Sequence, residues 1–334
     1  VEVFLACTEH AQIKQKALDN DIKVFTLPFR GNSDFKSLFG IKKIIQENQI
    51  DIVNTHSGKD TWVGGLAAKL SGAKFIRTRH LSNLIKSARL NFINELADYI
   101  FTTGEGVRLG MINNNRIKPE KIQSIPTGID ADIYDSNNFD RKACRDLFKF
   151  QDDQIVIGII AVFRLFKRHD RFLNMVRNVI DNNPEKNIHF VMAGDGPQRE
   201  NLANMINDLG LQNRISMPGH VLNVPELLQA LDMFVLTSDS GEGVPQSVMQ
   251  ALLMQTAVVS TNAGSTKDLY HDGNFILIDK SSQEELNEAC NKLVNSQILR
   301  DQYASNSRNY VLDNFSRVRM TEKIMKVYSN LMSS

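Results

Sequence analysis

Apolar positions along the chain fall into short continuous runs separated by segments with helical spacing. In the first half the strand-like runs are 1–7, 22–28, 51–56, 74–79, 99–103 and 121–125. Helical patterns lie between them, notably at 34–48 and 59–70. The second half repeats the plan, with strand-like runs at 155–162, 188–193, 214–217, 232–237, 256–261 and 275–278. A tail from about 315 to 332 places Met320, Ile324, Val327 and Leu331 at helical intervals. Strands alternating with helices predict an α/β chain with parallel sheets.

Two halves of this kind predict two domains. The segment Ile125-Pro-Thr-Gly-Ile-Asp130 carries turn residues, and the polar run 135–140 reads as a linker. The expected division is a first domain over 1–134, a second over 141–314, and a last helix over 315–334. Val1–Cys7 already reads as a strand, and the turn after it, Thr8-Glu9-His10, has no glycine. In a doubly wound sheet the first strand is central, and a Gly-containing turn commonly follows it. The chain is therefore expected to lack a preceding strand, loop and helix; a variant that dispenses with them is the other reading.

Composition narrows the function classes. With 39 basic and 38 acidic side chains, net charge gives no reason to expect a nucleic-acid partner. Cys7, Cys144 and Cys290 are far apart and form neither a disulfide framework nor a zinc motif. No apolar run is long enough to span a membrane. A cytoplasmic location is expected.

The chemistry gathers where strands end. Ser240-Gly-Glu-Gly-Val-Pro-Gln-Ser247 follows the apolar run 232–237 and precedes an apolar helix. Glycines beside Glu242 let a ligand approach the backbone, and the amides of Gly243 and Val244 would face a phosphate. The plainer reading is that Glu242 begins a helix, where a carboxylate suits the dipole. Strand 155–162 runs into Arg164 and Lys167, two cations directly after an apolar segment, which favours an anionic partner. A solvated basic loop is the alternative. Gly194-Asp-Gly196-Pro197 makes a tight turn, and Gly219-His220-Val221 ends another strand. In the first half His56 and His80 each end a strand, with Lys59, Arg77 and Arg79 close by. Each His alone is more often structural; two at carboxyl ends of nearby strands suggest a shared cleft. No GxGxxG follows an early strand, which disfavours a dehydrogenase.

These motifs, in this order, resemble the retaining family 4 glycosyltransferases of GT-B fold, over nearly the whole chain. Thr103-Gly104, Arg77-Thr-Arg-His80 and Pro245-Gln246 resemble a bacterial subgroup associated with cell-surface polysaccharides, lipopolysaccharide O-antigen or capsule. The resemblance implies two Rossmann-like domains facing a cleft, the second holding a nucleotide-sugar donor and the first a glycan or lipid-linked acceptor. It implies that Arg164 and Lys167 bind the donor diphosphate and Glu242 the sugar hydroxyls, with His80 near the sugar. Gly194 and Gly196 would face the nucleotide, and the backbone at His220 and Val221 would meet the base. The family pattern is Glu, seven residues, Glu. Gln250 stands at the second Glu and would hold a ribose hydroxyl. The family commonly has Gly after the Lys, and Arg168 stands there. No metal or other cofactor is expected, since the basic pair can stabilise the leaving diphosphate. The last helix crosses back to the first domain in the family. Peripheral contact with the inner membrane face is an accompanying option. A nucleotide-sugar epimerase of GT-B fold and a non-catalytic nucleotide-sugar binding module are the competing functions.

Overall fold

The apolar runs fold as twelve strands in a computed structural model that describes residues 1–80 and 92–333. They are β1 (Phe4–Cys7), β2 (Lys23–Thr26), β3 (Ile52–Thr55), β4 (Lys74–Arg79), β5 (Tyr99–Thr102) and β6 (Ile122–Ser124), then β7 (Ile155–Ile160), β8 (Ile188–Ala193), β9 (Ile215–Gly219), β10 (Met233–Leu236), β11 (Ala257–Thr261) and β12 (Ile276–Ile278). Every ladder between them is parallel. The chain forms two compact units, one of Val1–Ile125 with Lys323–Ser334, the other of Pro126–Glu322.

In the second unit six strands lie in the order β12-β11-β10-β7-β8-β9. The unit's first strand, β7, pairs with its second and its fourth. That is the doubly wound order, whose reversal point lies between β7 and β10 and whose ligands sit at the carboxyl ends of the strands. Period-two alternation buries both faces. Ile157, Ile159, Phe190, Met192, Met233 and Val235 enter one core, while Val156, Val191, Phe234, Leu236 and Val258 enter the other. A fully buried side chain of this size contributes about 2–3 kcal/mol. Gly158 on β7 admits Leu231, whose Cδ1 would lie 2.6 Å from an added Cβ. The polar run 135–140 belongs to this unit. Asp140 caps helix Arg141–Leu147 by accepting from the Ala143 amide, and Asp135 pairs with Arg308 at 2.9 Å.

The first unit carries two separate parallel sheets, β1-β2 and β3-β4-β5-β6. Helix Phe35–Glu47 starts at Asp34, which accepts from the Ser37 amide. Helix Gly58–Ser71 starts in a Ser57/Asp60 capping box and stops at Gly72 in the left-handed conformation. Its buried face is Val63, Gly64, Gly65, Ala67 and Ala68, so it lies close on the sheet. An added Cβ on Gly65 would meet the Phe75 ring at 2.5 Å. The tail helix runs Arg317–Met332. In the first unit its Tyr328 hydroxyl accepts from Asn54 at 3.3 Å, and its ring stacks on Phe101.

Candidate active site

The loops after β7, β8, β10 and β11 interlock at the carboxyl edge of the second sheet. After β7 the chain buries Phe163, whose amide donates to the Asp195 carbonyl at 2.9 Å and whose carbonyl accepts from the Gln198 amide at 3.1 Å. The Gly194–Pro197 turn thus lies flat against the β7 loop. An added Cβ would stand 2.0 Å from the Ala161 oxygen at Gly194 and 2.7 Å from the Phe163 oxygen at Gly196. Both glycines have positive φ, 142° and 152°. Their first duty is therefore this close approach of two loops.

Lys167 and Glu242 are brought together. Lys167 Nζ donates to Glu242 Oε1 at 2.5 Å, and Ser238 Oγ donates to the same oxygen at 2.5 Å. The pair is largely removed from water, with side-chain exposures of 13% for Lys167 and 8% for Glu242. Neighbouring loops hold both ends. Thr237 Oγ1 donates to the Lys167 and Arg168 carbonyls, each at 2.9 Å, and Thr261 Oγ1 donates to the Ser238 carbonyl at 2.5 Å. Gly264 (φ 59°) packs on the Glu242 backbone so tightly that an added Cβ would lie 2.0 Å from the Glu242 oxygen. The cation that the sequence led us to expect on an external anion thus has a protein carboxylate beside it. Arg164, in contrast, is exposed and makes no ion pair among the described residues.

Arg168 takes the left-handed conformation (φ 51°, ψ 47°), a backbone geometry that glycine adopts without strain. Its guanidinium is fixed by Asp170 at 2.8 Å and Asp239 at 3.3 Å, and hydrogen bonds to these carboxylates raise its pKa. His169 follows at the start of helix His169–Asn182, buried, edge-on to Phe163, with no partner for Nε2 among the described residues. Burial, and next the Lys167 charge, push its pKa down to about 4, against the opposing pull of Asp170.

Val244 is buried and Gly243 half-buried at the start of helix Gln246–Leu253. Gln250, half-buried on that helix, bonds the Tyr134 hydroxyl, whose pKa is raised by burial in spite of that bond. His220 is exposed and Val221 half-buried after β9. In the first unit the His56 and His80 rings stack, with Nδ1 of one 2.9 Å from Nε2 of the other. Desolvation lowers both pKa values, and for His56 the His80 ring adds to it, while Asp60 opposes both. The Thr103 hydroxyl donates to the His80 carbonyl at 3.3 Å. Ser238 and Thr237, which hold Glu242 and Lys167, and Asp170 and Asp239, which hold Arg168, were not singled out from the sequence. The available signal was the polar run Thr237-Ser-Asp-Ser240 ending a buried strand.

Residues 140–310 match the family described as Glycosyl transferases group 1, and residues 1–133 match Glycosyltransferase Family 4. An Escherichia coli protein named UDP-Gal:alpha-D-GlcNAc-diphosphoundecaprenol alpha-1,3-galactosyltransferase is 24% identical over 350 residues, spanning 99% of this chain and 89% of its own. A glycosyltransferase structure from Rickettsia africae ESF-5 superposes with a TM-score of 0.87 at 19% identity, over 98% of this chain and 90% of its own. HepE of Anabaena, solved in complex with UDP and glucose, superposes with a TM-score of 0.82 at 19% identity, over 98% of this chain and 91% of its own. These two likenesses show the fold.

Proposed function

This chain belongs to the group 1 glycosyl transferases, and we propose that it moves a sugar from a nucleotide-sugar donor to a glycan or lipid-linked acceptor, retaining the anomeric configuration, in bacterial surface polysaccharide assembly. The observation that carries the reading is the shielded Lys167–Glu242 pair at the reversal point of the second sheet. A cation and a carboxylate held side by side suit a ligand that is anionic at one end and hydroxylated at the other. The second unit then binds the donor and the first the acceptor.

In this reading Lys167 turns from Glu242 to the diphosphate as the donor enters, and exposed Arg164 joins it. Both neutralise charge that grows on the leaving group, without a metal ion. Glu242, released, accepts from sugar hydroxyls while Ser238 keeps its orientation. The amides of Gly243 and Val244 face the phosphate or sugar, and Gln250 takes a ribose hydroxyl. The backbones at Gly194, Gly196, His220 and Val221 frame the nucleotide. His80 is the first unit's candidate for a contact to the transferred sugar. The donor phosphate accepts the acceptor proton. The E. coli relative's name, with its UDP-sugar and diphosphate-lipid acceptor, and the UDP in HepE support starting with UDP-sugars and lipid-linked acceptors. A lipid-linked acceptor would be met at the inner membrane face; among the described residues no helix is long and apolar enough to cross a membrane.

The test is a panel of nucleotide sugars screened for thermal stabilisation, followed by transfer assays with the stabilising donor. The product anomer is read by NMR, with and without chelator. Retained configuration and chelator-resistant transfer are expected. An inverted product, or strict dependence on magnesium or manganese, would overturn the mechanism. Interconversion of the donor without an acceptor would make the protein an epimerase.

A further inference from the structure

Outside the donor site, the first unit carries a cleft of about 530 Å³ lined by Asn32, Ser57, Gly58, Lys59, Trp62 and Arg77. Its volume lies in the range of small-molecule sites. It opens at the carboxyl ends of β3 and β4, where Thr55 and Arg77 are register partners. Arg77 is buried at 7% exposure, and its Nη1 donates to the Asn94 side-chain oxygen. It makes no salt bridge among the described residues, and residues 81–91 contain no Asp or Glu. Burial, with Arg79 adding to it and Asp60 opposing, pushes its pKa down to about 10. A guanidinium kept in so poor a solvent without a carboxylate calls for an anion.

Three further features converge on the same cleft. Lys59 is exposed and unpaired among the described residues. Helix Gly58–Ser71 begins there, and its Gly58 and Lys59 amides have no acceptor within the helix. Asp60, the one carboxylate of the turn, is folded back onto the His56 and Ser57 amides at 3.0 and 2.7 Å. Among the described residues, and apart from its own chain neighbours, nothing lies within 4 Å of where a Cβ on Gly58 would stand, so the described walls leave this backbone open to a ligand. The wall is Trp62, braced edge-on by Phe92 at 5.2 Å. Charge on one side and a flat aromatic on the other fit a phosphorylated sugar.

We propose that this cleft binds a sugar phosphate or diphosphate, its anion on Arg77, Lys59 and the Gly58–Lys59 amides and its sugar ring against Trp62. Resting on the transferase reading above, this ligand is the acceptor, recognised by the phosphate it carries.

Trp62 is the chain's single tryptophan, so its emission reports on the cleft directly. Titrate the full chain with glucose 1-phosphate, with pyrophosphate and with glucose, then with a glucose-bearing short-chain polyprenyl diphosphate. The phosphorylated ligands should change Trp62 emission saturably, and glucose should not. Lys59→Ala should weaken binding about tenfold, and Arg77→Met by more. Arg77→Lys should recover part of the loss, which separates lost charge from lost folding. Arg164→Ala, in the second unit, should leave these titrations unchanged. Tighter binding of the polyprenyl diphosphate assigns a lipid-carried acceptor, and tighter binding of glucose 1-phosphate a soluble one; either, lost in Lys59→Ala, supports the cleft. A flat titration, or equal binding by wild type and Lys59→Ala, overturns it. Transfer to a neutral glycan alongside a flat titration sinks the cleft alone. A saturable titration with no transfer from any donor sinks the transferase reading and leaves the cleft standing.

Discussion

Replacing Lys167 with Met removes the cation from beside a carboxylate that is only 8% exposed. Breaking a buried pair from one side costs about 3–5 kcal/mol, since the remaining charge stays desolvated. Glu242 keeps the Ser238 hydroxyl at 2.5 Å, so the lower end, about 3 kcal/mol, is expected. For a unit of roughly 200 residues that corresponds to a fall in Tm of about 6–12 °C. Glu242→Gln strands the cation instead; with Lys167 slightly more exposed, a loss of about 2 kcal/mol is expected. The double variant carries neither charge. It should be less damaged than the two losses added together, with a coupling of about 2 kcal/mol.

The assay is thermal unfolding by far-UV circular dichroism, joined with peptide-level hydrogen exchange. A chain with two compact units need not melt in one step. Exchange should therefore quicken around 163–170 and 237–246, and not in the first unit. Strictly additive losses would mean that the two groups do not depend on one another, and the contact would lose its place in the proposed donor exchange. Losses below about 0.5 kcal/mol in both single variants would show that water reaches the pair freely.

Arg168→Gly should be more stable than Arg168→Ala by about 1 kcal/mol, because alanine keeps the left-handed strain and loses the same ion pairs; equal melting would refute the strain argument. Gly264→Ala should displace the Glu242 backbone and cost more than about 2 kcal/mol along with donor binding, given φ 59° and the 2.0 Å clash; normal thermal stabilisation by donor would refute it. His169, held neutral by burial with a pKa of about 4, binds fewer protons folded than unfolded, so stability is full above about pH 6.5 and falls towards pH 4, by up to about 3 kcal/mol. The lowered His56 and His80 act in the same direction; a His169→Phe chain whose melting is as steep in pH as wild type would exclude His169 as a source. Gln250→Ala should weaken donor binding by about 1 kcal/mol while Gln250→Glu keeps kcat/KM; a harmless Gln250→Ala would leave the residue as a partner of Tyr134 only.

Why the elements were legible and their partnerships less so follows from what periodicity encodes. Short continuous apolar runs mark β7, β8 and β10 as strands buried on both faces, and helical spacing marks the tail, whichever strands end up adjacent. Lys167 could be read as a cation in need of an anion from its place after an apolar run. Glu242 could be read as a carboxylate in a loop whose flanking glycines let a ligand approach the backbone. That each meets the other depends on β7 lying beside β10, contacts between residues 75 positions apart. Only strand order supplies that. In a doubly wound sheet the first and fourth strands of a domain adjoin at the reversal, so the loops after them must face each other. That strand order alone sets Lys167 against the Glu242 loop. The same reasoning accounts for Gly264, whose loop follows the next strand, β11, and closes on Glu242 from the other side. Arg168 shows a different limit. The arginine at the position where the resembled family commonly has glycine gave no sign of its left-handed backbone, and nothing local announced that Asp170 and Asp239 would hold it there. His169 follows the basic loop with no local sign of burial, and it is buried edge-on to Phe163, itself pinned by the Gly194–Pro197 turn. Side chains whose state depends on a loop from another strand are where a linear reading stops, and in this protein they are the ones that surround the charge pair.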